Sequence, residues 1–158
     1  MTPKYNQPRT AFFAGSFNPF TLGHLDIAHR ALQIVDHLVI GVGFNCAKTS
    51  CDSVDARVEH IRRIFAYEPR VEVLAYEGLT VEAARRAGAG ILLRGVRSIA
   101  DFEYERNLSD VNREIAGMET MILISDPRYA FISSSMVREL RDNGYDVARF
   151  LPEVPDNQ

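Results

Sequence analysis

Residues 10–24 read Thr10-Ala11-Phe12-Phe13-Ala14-Gly15-Ser16-Phe17-Asn18-Pro19-Phe20-Thr21-Leu22-Gly23-His24. Thr10 to Ala14 is a short apolar run that breaks at Gly15, as a buried strand does when it enters a turn. Beyond the turn, Leu25, Ile27, Ala28, Ala31, Leu32 and Val35 recur at helical spacing. A buried strand, a glycine turn and a helix, in that order, suit the opening unit of a parallel α/β sheet.

The pattern repeats along the chain. His37 to Gly43, Val71 to Ala75, Ile91 to Leu93 and Thr120 to Ile124 are further strand-like runs, with Arg94 at the exit of the fourth strand. Between them lie helical stretches: one carrying Val58, Ile61, Ile64 and Phe65 and capped by Asp52 or Ser53, then Thr80 to Ala87, Asp101 to Ala116 and Ser133 to Asn143. Gly88, Gly117 and Gly144 stand where helices stop. Asp146 to Phe150 predicts a final helical turn. The expected architecture is α/β: one doubly wound, parallel, five-stranded sheet in a single domain over residues 1–158, with residues 1–9 as a flexible tail.

Composition narrows the function. The chain is 158 residues long, 46% hydrophobic and 25% charged, as in an ordinary soluble domain. It has no apolar run long enough to span a membrane and no apolar signal core near Met1, which predicts a cytoplasmic protein. A net charge of -3 argues against nucleic-acid binding but leaves room for a small polyanion. Cys46 and Cys51 lack the neighbouring histidines of a metal framework and read as free thiols.

In sheets of this kind ligands bind beyond the carboxyl ends of the strands, where strand order reverses. Those ends carry Gly15, Ser16 and His24 after the first strand, Lys48 after the second, and Arg94 and Arg97 after the fourth; Ser133, Ser134 and Ser135 open the last helix. Free amides at a helix start attract anions and disfavour imidazolium, so His24 is expected to be a neutral donor. Cations, hydroxyls and helix N-termini on one edge predict a phosphate-rich ligand.

Thr21-Leu22-Gly23-His24 resembles the T-x-G-H signature of nucleotidyltransferases. Arg94-Gly95-Val96-Arg97, Asp101-Phe102-Glu103-Tyr104-Glu105 and Phe131-Ile132-Ser133-Ser134-Ser135 follow in the order and spacing of the bacterial phosphopantetheine adenylyltransferases, which the chain resembles from about Thr10 to Pro152. The resemblance implies a Rossmann-like nucleotidyltransferase fold and AMP transfer from ATP to 4'-phosphopantetheine, giving dephospho-coenzyme A and pyrophosphate. It further implies magnesium carried with ATP, a homo-oligomer, a hexamer in this family, and coenzyme A as feedback inhibitor.

By the same resemblance His24, Lys48 and Arg97 are catalytic, and Ser16, Lys48, Thr80 and Arg94 bind phosphopantetheine. Ser16, Phe17, His24, Gly95, Val96, Arg97, Glu105, Tyr129, Ala130, Phe131, Ile132, Ser133, Ser134 and Ser135 surround ATP. Asn18 stands where the family has an aspartate, and an asparagine in that turn suits a structural role. No carboxylate cluster calls for a dedicated metal site.

A phosphomonoester is largely ionised at neutral pH, its second pKa being about 6, so its attack on ATP needs no general base. Positioning and charge stabilisation would carry the reaction. Rival readings are another adenylyl- or cytidylyltransferase, such as one using nicotinamide mononucleotide, and a nucleotide-binding sensor without turnover. The block Arg94 to Glu105 disfavours the first, and the joint presence of Ser16, His24, Lys48, Arg94 and Arg97 the second.

Overall fold

A computed structural model describes residues 7–44 and 52–156, so Lys48, Cys46 and Cys51 lie outside the described residues. The strands are β1 (Thr10–Gly15), β2 (His37–Gly43), β3 (Val71–Tyr76), β4 (Ile91–Val96) and β5 (Glu119–Ile124). They alternate with helices α1 (Leu22–Ala31), α2 (Val54–Ile64), α3 (Thr80–Arg86), α4 (Ile99–Ala116) and α5 (Ser134–Asp142), and a 3-10 turn spans Ala148–Phe150.

The five strands form one parallel sheet in the order β3-β2-β1-β4-β5. Strand order therefore reverses beside β1, between the exits of β1 and β4. Alternate residues of each strand serve opposite faces. Phe13, Ile40 and Leu93 pack with Ile27 of α1 and Ile61 of α2, while Phe12, Val39 and Leu92 pack with Val81 and Ala84 of α3. Both faces of the central strands are covered, which is why those strands show no polar alternation. Gly41 admits Phe12: a Cβ at Gly41 would lie 2.2 Å from the Phe12 ring.

Several boundaries differ from those the sequence pattern predicts, β4 and α4 among them. β4 does not stop at Leu93; it continues to Val96 because its ladder with β5 pairs Arg94 with Ile122, Gly95 with Leu123 and Val96 with Ile124. Strand length follows backbone pairing, which side-chain polarity does not report. Likewise α4 begins at Ile99, where the Ser98 side chain accepts from the Asp101 amide at 3.1 Å. Of the two candidate caps of α2, Ser53 takes the role, accepting from the Ala56 amide at 3.1 Å. At the other end of the described chain, the Arg9 amide donates to Asp36 at 2.7 Å and the Arg9 carbonyl accepts from the amides of Asp36 and His37. Among the described residues no helix is long and apolar enough to cross a membrane.

Candidate active site

A cavity of about 330 Å³ opens at the reversal point. Ser16, Phe17, His24, Arg94, Gly95, Arg97 and the stretch Ile132 to Ser135 line it.

The turn that enters it is held from outside. Phe17 has φ 46, a left-handed conformation that costs a bulky residue about 1–3 kcal/mol. Its ring turns back over Gly15, where a Cβ would sit 2.9 Å from it. Side chains from other elements grip the carbonyls around it: Arg57 donates to that of Ser16, Arg138 to that of Asn18 at 2.6 Å, and Ser134 to that of Pro19 at 2.8 Å. Asn18 itself is buried in this turn.

His24 is oriented by the helix it begins. Thr21 caps α1 by accepting from the His24 amide at 3.5 Å, and the Thr21 amide donates to His24 Nδ1 at 3.0 Å. In neutral imidazole only one ring nitrogen carries hydrogen. Because Nδ1 accepts, the proton sits on Nε2. The rings of Phe13, Phe17 and Phe20 surround the imidazole at 5.1–6.3 Å. Burial, and then the charges of Arg94 and Arg97, push its pKa from 6.5 down to about 4. His24 is thus a neutral donor at physiological pH.

Strand parity places the β4 residues. Arg94 shares the face of Leu92, and there its Nε and Nη2 donate to Glu105 of α4 at 2.9 and 2.6 Å, while Nη1 donates to the Ala14 carbonyl. Glu105 is 5% exposed and Arg94 reaches solvent, so the carboxylate aims the guanidinium at the cavity. Gly95 faces the opposite way and admits α1, since a Cβ there would be 3.0 Å from Ile27. Arg97 is braced by Asp101, whose carboxylate accepts from the Arg97 amide at 3.1 Å and lies 3.6 Å from Nε.

The three serines have different duties. Ser133 caps α5 by accepting from the Met136 amide at 3.1 Å, Ser134 holds Pro19, and Ser135 accepts from Arg138 at 3.2 Å. Their amides open α5 toward the cavity, where they and the helix dipole favour an anion.

Not every expected residue meets there. Val96 is buried, and Phe131 is 63% exposed with its ring near Phe150. Tyr129 and Ala130 belong to the turn beside Gly23 and are not among the residues lining the cavity. Glu105 and Thr80 line a second cavity of about 280 Å³ with Leu79, Val81, Leu108 and Asn112, and Arg94 borders both. The Thr80 hydroxyl is 3.0 Å from that of Tyr76. Arg138, which sequence reading missed, lines the first cavity. Its signal was its spacing, three residues after Ser135 and so on the same helix face.

A parallel sheet whose reversal point gathers a neutral histidine, arginines and a helix N-terminus defines a nucleotidyltransferase. Residues 12–140 match the cytidylyltransferase-like family. Relatives named phosphopantetheine adenylyltransferase include those of Porphyromonas gingivalis (51% identical, covering 90% of this chain and 94% of the relative) and Phocaeicola vulgatus (47%, covering 92% and 96%). A third, from Bacteroides fragilis, is 41% identical over 92% of this chain and 97% of its own. The chain belongs to the phosphopantetheine adenylyltransferase family. Its fold is also that of a bifunctional NMN adenylyltransferase/ADP ribose pyrophosphatase from Francisella tularensis, with a TM-score of 0.71 at 15% identity; the match covers 94% of this chain and 46% of that one.

Proposed function

We propose that this protein transfers AMP from ATP to the phosphate of 4'-phosphopantetheine, releasing pyrophosphate and dephospho-coenzyme A. The observation that carries the reading is Arg94, held by Glu105 where cavities adjoin, one lined by cations and a helix N-terminus and another by Leu79, Thr80, Val81 and Leu108 among polar side chains. The first suits a triphosphate, the second the pantetheine arm, and Arg94 the phosphate that must reach the nucleotide.

The attacking phosphate is already ionised, so the residues have only to align two polyanions and stabilise the α-phosphoryl group. His24 donates from Nε2 to a nonbridging α-oxygen. Arg97, Arg138 and the amides opening α5 receive the β- and γ-phosphates. Ser16 stands where both ligands meet, Thr80 lies along the arm, and Lys48 bridges the two phosphates by family resemblance. Among the described residues no carboxylate lines the first cavity, so its donor set fits magnesium bound mainly by nucleotide and water. The ion supplies charge neutralisation on the phosphates.

Coenzyme A contains the same arm and would compete for the second cavity, giving feedback inhibition. α4 exposes the apolar side chains of Ile99, Phe102, Val111 and Ile115, which supports self-association, as a hexamer by family resemblance. Function in the cytoplasm follows from these soluble substrates. The deciding experiment is pyrophosphate release from ATP with phosphopantetheine, with nicotinamide mononucleotide as competitor substrate. Release only with phosphopantetheine is expected; a preference for the mononucleotide overturns the reading.

A further inference from the structure

Arg57 lies in the first turns of α2 and is 4% exposed, yet no carboxylate among the described residues forms an ion pair with it. Its guanidinium is spent on backbone. Nη1 donates to the carbonyl of Ser16 and to that of Gly43 at 3.2 Å, and Nε donates to that of Asp52 at 3.1 Å. One side chain therefore joins the β1 exit, the β2 exit and the approach to α2.

Among the described residues the hydrogen bonds of Arg57 go only to carbonyls, with the Asp52 charge acting on it without an ion-pair contact, an unusual choice for scaffolding, where an apolar side chain of similar volume would serve as well. What an apolar side chain lacks is the ability to fix carbonyls at set positions. The Ser16 carbonyl needs fixing because the next residue, Phe17, has its backbone at φ 46, a conformation that persists only when its surroundings over-determine it. Arg138 and Ser134 hold the far side of the turn, at Asn18 and Pro19. Arg57 holds the near side, where Ser16 enters the cavity.

We infer that Arg57 is a positioning residue, which clamps the Ser16 carbonyl so that the Ser16 side chain stands in register with both ligands. It touches no reacting atom and acts through Ser16. Lysine cannot replace it, because a single ammonium does not span three carbonyls as a planar fork does.

The kinetic arm of the test rests on the AMP transfer proposed above; the exchange arm does not. In steady-state assays Arg57→Lys should lower kcat at least about 10-fold, the scale of a sub-ångström to 1 Å misplacement, with the KM for ATP within about 3-fold of wild type. In a Ser16→Ala background the same substitution should cost less than about 2-fold, because the two residues act as one unit. Hydrogen–deuterium exchange should accelerate in residues 15–20 of Arg57→Lys and stay unchanged in α3 and α4. Equal losses in both backgrounds, or unchanged exchange at residues 15–20, overturn the inference. An inactive wild type would overturn the reaction instead and leave the exchange result to decide on Arg57. Should Arg57→Lys not fold, Arg57→Gln carries the same measurements, and loss of the folded circular dichroism signal in both assigns Arg57 to the scaffold alone.

Discussion

Thr21 and His24 cap one another: the Thr21 amide donates to His24 Nδ1 at 3.0 Å, and the His24 amide donates to Thr21 Oγ1 at 3.5 Å. The capping box that begins α1 therefore includes the bond that selects the histidine tautomer. His24→Ala should lower kcat at least about 100-fold, as loss of a single transition-state donor does. ATP affinity by calorimetry should change only a few-fold. Near-normal turnover would remove His24 from the mechanism.

The same histidine links stability to pH. Unfolded, its pKa is near 6.5; folded, it is about 4. Between these values the unfolded chain binds the proton more readily, so this contribution to stability is complete above 6.5 and is lost as pH falls toward 4. The full loss is at most about 3 kcal/mol. In urea melts, the stability difference between wild type and His24→Gln should be flat above pH 7 and shift against wild type below pH 6. A difference independent of pH would show that burial does not hold the imidazole neutral.

The proposed reaction assigns Arg94 and Arg97 to different ligands. Arg94→Ala should weaken phosphopantetheine more than ATP, and Arg97→Ala the reverse, as read by titrating each variant with each ligand. Glu105→Gln should reproduce the Arg94 pattern in weaker form, roughly 10-fold, because the guanidinium loses its charged brace without leaving the site. Equal effects on both ligands in all three variants would sink the division.

Gly23 distinguishes fold from site. A Cβ there would meet nothing closer than 3.6 Å, so the folded chain has room for a methyl group. Alanine also favours the helix, by up to about 1 kcal/mol. Gly23→Ala should therefore melt at the same temperature or slightly higher, yet bind ATP at least about 10-fold more weakly, because the methyl occupies the surface that the nucleotide covers. Unchanged ATP affinity would mean that the nucleotide does not pack on α1.

Sequence alone determined the alternation of strands and helices, the parallel five-stranded sheet, and the edge on which His24, Arg94, Arg97 and the serines gather. Those properties are written in local periodicity: doubly covered strands stay apolar throughout, helices repeat every third or fourth residue, and strand exits follow from both. The family motifs added the reaction. Tertiary structure decided what each polar group is bonded to. Parity along a β4 longer than its apolar run turned Arg94 toward Glu105 and Gly95 toward Ile27. Two of the expected phosphate hydroxyls, those of Ser133 and Ser134, proved committed to a helix cap and to Pro19. Arg57 entered only through carbonyls, that of Ser16 lying 41 residues away in sequence. A backbone carbonyl has the same chemistry at every residue, so a side chain that seeks one leaves no pattern in the sequence, and only the folded chain names the partner.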